Sequence, residues 1–268
     1  FKKDGTFHGF KAQMITDAGA FTHEGPAMTD CASVSARGPY VCPNYVIDGY
    51  CVYTNKIVPG AFRGFGCFQV SFAREVMFDI AAEELGISPL DIRFKNFSKA
   101  GDTTVSGQII RSPGAAKCLE KVRKVHKLDE PIKGKNRGRG FVAIEMMTGL
   151  LASCVFIKIN EDGSVNVMSG ASSIGCGTVT TLAQIAAEAL TIDVNKVTVH
   201  LSDTETTPYD WGNFSDRITL SVGNAILIAV EDIKKQLFEI VAEKFEVSID
   251  DLELKNGRVM VKALPEKS

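Results

Sequence analysis

A chain of 268 residues, 45% hydrophobic and 23% charged, has the composition of an ordinary globular protein with room for one or two cores. Its formal net charge of −2 argues against a general nucleic-acid binder, which carries a basic excess or stripe. No run approaches the roughly 18 apolar residues of a membrane span, so neither nucleic acid nor membrane is expected as a partner.

The chain opens Phe1-Lys2-Lys3-Asp4, with neither an initiator Met nor a signal-peptide pattern, as expected of an interior or trimmed piece of a longer polypeptide. The seven cysteines are an odd number in a chain that is not small, which fits a reduced, cytoplasmic compartment. No CxxC or clustered Cys/His spacing occurs, so no metal site built by this chain alone is expected. His8, His23, His126 and His200 are scattered and read as ordinary imidazoles.

In chain order, alternating segments at 9–15 and 46–54 predict strands. Then comes Ala61-Phe62-Arg63-Gly64-Phe65-Gly66, with Gln69 just beyond and helical spacing over 69–85. An arginine between two phenylalanines and two glycines offers a positive fork, two ring faces and two points of close backbone approach. Planar or anionic ligands use all three. The basic, glycine-rich run from Lys133 to Gly140 reads as a solvated linker, placing domains at 1–133 and 141–268 with 134–140 between them.

In the second half, strands are expected at 154–159, 165–168 and 197–201, and helices at 178–190 and 223–245. Asp162-Gly163 and Asn256-Gly257 are tight hairpin signals. A weak repeat relates 80–96, 185–201 and 240–256. Each copy reads as a helix end, a turn capped by Ser or Asp, and a short alternating segment. The fold class is therefore α+β, with mixed sheets and flanking helices.

Two further segments suit an anion. Ser172-Ser-Ile-Gly175-Cys176-Gly177-Thr178 places glycines where a strand ends and a helix begins, leaving free amides at a positive dipole end. Asn213-Phe-Ser215-Asp216-Arg217-Ile218-Thr219 precedes a second helix start at Gly223. Together with Arg63 they suggest a cofactor held across a domain interface.

These segments resemble, in the same order, those of the molybdenum hydroxylases, the xanthine dehydrogenase and aldehyde oxidase family. Residues 61–66 match its AFRGFG signature letter for letter, and 175–177 stand where its GQG loop stands. Val197 to Asp210 resembles its VxxGDTDxxPYDxG segment, and 213–225 its loop before a Gly-Asn-Ala helix. Asp17-Ala-Gly-Ala-Phe21 and Asn44-Tyr-Val-Ile-Asp-Gly-Tyr50 fit the run toward AFRGFG. The resemblance covers nearly the whole chain.

It implies two molybdopterin-binding-type domains, both incomplete, and a molybdopterin cofactor carrying molybdenum, in its cytosine dinucleotide form. It also implies iron–sulfur clusters and FAD on partner domains or subunits. The activity implied is oxidation of an aromatic N-heterocycle or an aldehyde, with water as the oxygen source. By resemblance, Arg63 with Phe62 positions the reactive end of the cofactor, and Phe65 stacks on an aromatic substrate. Ile174, Gly175, Cys176 and Gly177 contact the cofactor, and Ser215, Asp216, Arg217, Ile218 and Thr219 wrap its pterin side.

Four departures stand out. Cys176 replaces the family's glutamine, and Cys31 stands where purine-oxidising members carry arginine, against a xanthine-like substrate. The family's GGGFGGK-type segment and its Gly-Glu motif, whose glutamate is the general base, do not occur; Glu145 and Glu205 lie in no such motif. The chain alone is thus expected to be inactive. The alternatives are a catalytically silent cofactor-binding or assembly module of the same fold, a phosphate-binding enzyme and a cysteine-nucleophile enzyme. The glycine spacing matches no P-loop or dinucleotide fingerprint, and no cysteine has a histidine near it in sequence, which disfavour the last two.

Overall fold

The computed structural model describes residues 1–149 and 151–264. The last residues of the expected second domain, 265–268, lie outside them. The chain divides into two compact units, Phe1–Met147 and Thr148–Ser268. Among the described residues, no helix is long and apolar enough to cross a membrane.

The first unit opens with strand β1 (Gly9–Gly19), helix α1 (Gly25–Ser35) and strand β2 (Asn44–Tyr53). The two strands pair in parallel, from Gly9 opposite Asn44 onward, with α1 as the crossover packed against both. The alternation at 9–15 and 46–54 marks these strands, but each is longer than that. α1 carries no such signal: GPAMTDCASVS is small and weakly apolar, and Pro26 in its first turn is its main mark.

Helix α2 (Cys67–Leu85) follows the Arg63 loop and ends at Gly86 in a left-handed cap. Helix α3 (Pro89–Asn96) corrects the reading of the first repeat copy, whose last part was expected to be extended. Ser88 caps it by accepting from the Leu90 amide at 3.2 Å, Pro89 fits the first turn, and Asp91 complements the dipole there. The other two copies end in strands as expected. Helix α4 (Ala115–Val125) completes the unit's regular elements among the described residues.

The core of this unit is aromatic: Phe7, Tyr40, Phe78, Ile92 and Phe97 are buried together, with Tyr40 stacked on Phe78 at 4.2 Å and on Phe97 at 5.2 Å. Beside it lies a buried ionic cluster. Glu75 receives hydrogen bonds from Arg74 Nε at 3.0 Å, Arg93 Nε at 2.8 Å and the Tyr40 hydroxyl at 3.0 Å. Arg74 also donates to the carbonyls of Ser35, Ala36 and Ala143, fastening the back of α2 to the end of α1 and to the chain after the basic run. Burial and the Glu75 carboxylate push the Tyr40 hydroxyl far up, so it stays protonated and donates. Phe141 lies under Arg93, with the guanidinium 4.7 Å from its ring centroid, and Glu145 pairs with Arg37 at 3.3 Å.

The second unit is built on strands β3 (Val155–Ile159), β4 (Val165–Ser169) and β5 (Val197–Leu201). β3 and β4 form an antiparallel hairpin and β4 pairs in parallel with β5, so the sheet is mixed. Gly163 supplies the positive φ, +77°, that the hairpin turn requires. Helix α5 (Thr178–Leu190) is the crossover between the parallel strands, and helix α6 (Gly223–Phe245) packs against α5. Val167, Leu182, Ala186, Val222, Ile226 and Val230 form the buried core. Strands β6 (Leu252–Lys255) and β7 (Arg258–Val261) make a hairpin turned by Asn256 and Gly257, whose φ values are +51° and +70°. Its apolar face covers Leu237, Phe238 and Val241 of α6.

Candidate functional site

The Arg63 loop is a strained turn on the N-terminus of α2. Gly64, Phe65 and Gly66 have consecutive positive φ values of +97°, +42° and +89°. Glycine is required at both flanks by sterics as well as by φ. A Cβ on Gly64 would stand 2.3 Å from the Phe68 ring, and one on Gly66 would stand 2.7 Å from Ala32 Cβ and 3.0 Å from Met28 O. Phe65 adopts a left-handed conformation that bulky residues avoid, and such strain collects at sites where function needs it. Turn bonds from the Phe65 amide to Phe62 O at 2.9 Å and from the Cys67 amide to Gly64 O at 2.8 Å hold the loop.

The side chains divide accordingly. Phe62 is 80% exposed, Arg63 is exposed and Phe65 is half-buried. Among the described residues, the Arg63 guanidinium has no hydrogen-bond or ion-pair partner. That contrasts with Arg74 and Arg93, which are buried and fully engaged.

In the second unit, the 172–178 loop stands on the N-terminus of α5. Gly175 and Gly177 have φ values of +94° and +77°, and nothing lies within 4 Å of where a Cβ would be on either. Ile174 is 69% exposed and Cys176 is exposed. The amides of Gly175, Gly177 and Thr178 make no hydrogen bond among the described residues, so a row of donors faces outward at the positive end of a helix.

Asn213 ties this loop to the next one. Its side-chain amide donates to Ser172 O at 2.9 Å, to Cys176 Sγ at 3.2 Å and to Thr178 Oγ1 at 3.3 Å. Hydrogen bonds from Thr178 and Asn213 lower the pKa of the exposed Cys176 thiol below its ordinary value. The structure thus brings the second and third segments together, through a residue whose role the sequence did not mark.

The third segment splits by direction. Ser215 and Asp216 take left-handed φ values of +48° and +53°, and a π-turn (Ile218–Val222) then leads into α6. Asp216 and Thr219 are exposed and line an open groove of ≈ 420 Å³ with Leu220, Gly223 and Asn224. Arg217 and Ile218 point inward and are buried. Arg217 Nη1 donates to Asp210 Oδ1 at 2.6 Å and to Gly212 O at 2.8 Å; its Nη2 donates to the carbonyls of Leu151 and Ala152, both at 2.9 Å. With both terminal nitrogens so occupied and the residue wholly buried, Arg217 shapes the loop from within, and a ligand would meet its exposed neighbours Asp216 and Thr219.

Each unit offers donors of a kind that suits an anion: the first an exposed guanidinium on a strained glycine turn, the second free amides at a helix start. Among the described residues, no group of three or more His, Cys, Asp or Glu side chains could hold a metal ion directly.

Comparison with known proteins agrees. Residues 1–97 and 114–268 each match a molybdopterin cofactor-binding domain, and the chain belongs to that family. It is 31% identical over 279 residues to the xanthine dehydrogenase molybdenum-binding subunit of Escherichia coli O157:H7, covering 99% of this chain and 37% of that one. It is 41% identical over 122 residues to the nicotinate dehydrogenase large molybdopterin subunit of Eubacterium barkeri, covering 45% of this chain and 29% of that one. The fold superposes on quinoline 2-oxidoreductase from Pseudomonas putida 86 with a TM-score of 0.86 at 25% identity, over 100% of this chain and 37% of that one. The chain is thus the molybdopterin-binding region of a xanthine dehydrogenase- and aldehyde oxidoreductase-like protein, and it spans little more than a third of the length of such relatives.

Proposed function

We propose that this chain is the cofactor-contacting part of a hydroxylase that oxidises an aromatic N-heterocycle or an aldehyde, with water as the oxygen source, and that it does not turn over alone. The observation that carries this reading is Arg63, held exposed and, among the described residues, unpaired on a strained glycine turn. Arg93, by contrast, is buried and its guanidinium is taken up by Glu75 and Asp79.

Molybdopterin, when bound, supplies the redox centre, and its proposed form here is the cytosine dinucleotide. The chain's residues bind and orient. Arg63, with Phe62, directs its guanidinium and amide at the reactive end of the cofactor, where they stabilise developing negative charge. Phe65 presents a ring face for an aromatic substrate. The amides at Ile174, Gly175, Cys176 and Gly177 take anionic groups of the cofactor. Ser215, Asp216 and Thr219 lie along its pterin side, with Arg217 and Ile218 shaping that loop from within. Partner subunits would supply iron–sulfur clusters and FAD as the electron acceptors. Relatives named as subunits of a 6-hydroxypseudooxynicotine dehydrogenase complex and of nicotinate dehydrogenase support both the heterocyclic substrate and the partner subunits.

The test is Arg63→Ala in the complete enzyme. Turnover is expected to fall by about 10²–10³, the usual loss for one charge-stabilising donor, with molybdenum retained. Near wild-type turnover would overturn the role given to Arg63. A second reading, a silent cofactor-binding or assembly module, is favoured by one observation: at Cys176 a thiol replaces the family's glutamine. Elemental analysis separates the two. A complete protein that holds no molybdenum, but gains it in Cys176→Gln, would establish the silent module.

A further inference from the structure

We propose that Cys31 and Cys67 form a reversible disulfide that fastens the start of α2, and with it the Arg63 loop, to α1. The two Sγ atoms lie 3.8 Å apart, the one thiol–thiol hydrogen-bond contact among the described residues. Cys67 is fully buried and gives its thiol hydrogen to Ser35 Oγ at 3.1 Å, whereas Cys31 is only half-buried. An oxidant therefore meets Cys31 first and finds Cys67 directly behind it. That is the arrangement of an attacking thiol with a resolving partner.

The chemistry balances with a peroxide as oxidant. Cys31 Sγ attacks one peroxide oxygen, the O–O bond breaks, sulfur is oxidised to a sulfenic acid, and the second oxygen leaves as water. Cys67 Sγ then attacks Cys31 Sγ, the S–S bond forms as the S–O bond breaks, and the hydroxyl leaves as water with the Cys67 proton. A thiol reductant reverses the bond by exchange. Burial, with the Cys67 thiol alongside, pushes the Cys31 thiol up to about 11. The pair is accordingly slow to react with peroxide.

Closing 3.8 Å to about 2.0 Å draws Cys67 toward α1. The Cys67 amide is bonded to Gly64 O at 2.8 Å, and Gly66 already abuts Ala32 and Met28 O of α1. The Arg63 loop is carried with the sulfur, so oxidation stiffens or displaces the residues around the exposed guanidinium.

Peptide mapping of the complete protein tests this. The protein is reduced, exposed to hydrogen peroxide, alkylated and digested without reductant. The expected result is a Cys31–Cys67 cross-linked peptide pair, joint loss of alkylation at those two cysteines, and slower amide exchange over 62–66, all reversed by dithiothreitol. Cys31→Ser and Cys67→Ala should each abolish the cross-link; using both guards against misfolding of the buried-site variant. Cys31 recovered as a sulfinic acid, or Cys67 still alkylated after peroxide, would overturn the proposal. None of these readings depends on turnover or on molybdenum content.

Discussion

Asn213 Nδ2 lies 3.2 Å from Cys176 Sγ, and the same side-chain amide binds Ser172 O at 2.9 Å. One side chain thus stabilises the thiolate of a surface cysteine and closes the loop that carries it. Removing it should act on both. In Asn213→Ala, alkylation of Cys176 by iodoacetamide at neutral pH should slow a few-fold, about the worth of one hydrogen bond to a charged group, with its pH profile displaced upward. Peptide-resolved alkylation rates measure it. An unchanged profile would mean that Thr178 and the loop's own amides set the thiol's acidity without Asn213.

The buried cluster behind α2 predicts a large stability effect far from any ligand. Glu75 is the one carboxylate shared by Arg74 and Arg93, and all three are at most 2% exposed. Glu75→Ala leaves the buried Arg74 without its carboxylate and Arg93 with only the half-exposed Asp79, and a cost of about 3–5 kcal/mol is expected. Asp79 also pairs with Arg93, at 2.8 Å, but its side chain is 52% exposed. Asp79→Asn should cost below about 1 kcal/mol. Urea titration of both variants checks the ranking, and equal losses would refute the assignment of Glu75 as the centre of the cluster.

How much of this was legible in the sequence depends on the range of the signal. α5 and α6 stand where their periodicity placed them, because a dominant apolar face and a glycine at each start are local marks. The two hairpin turns were equally local. The parallel pairing of β1 with β2 was not, since alternation reveals a strand and not its partner. Arg74 and Arg93 sit on helices, where arginine ordinarily faces water, so their burial against Glu75 has no sequence mark.

The site divides in the same way. The Arg63 loop announces itself through glycines that a strained turn requires. Arg217 is drawn inward by Asp210 and by the carbonyls of Gly212, Leu151 and Ala152, the last two 66 and 65 positions away, and no residue pattern signals that. Asn213 reaches a loop 37 positions away. Only folding brings the two together.

Asp17 gives a pH-dependent test of the first unit. Its carboxylate accepts from Lys56 Nζ at 2.7 Å, Thr54 Oγ1 at 2.6 Å and the Gly19 amide at 2.9 Å, tying the end of β1 to the chain that leaves β2. Chiefly through Lys56, then Thr54 and Gly19, its pKa is pushed down to about 2. Unfolded, it titrates near 3.9. The folded value is the lower one, so the ionised group stabilises the fold at pH values above about 3.9, and that contribution fades as the pH drops toward about 2. Asp17→Asn lacks this contribution at every pH. Melting temperatures of the two proteins should therefore differ at pH 5 and converge as the pH approaches 2. A difference that persists undiminished at pH 2 would show that Asp17 acts through the shape of the turn and not through its charge.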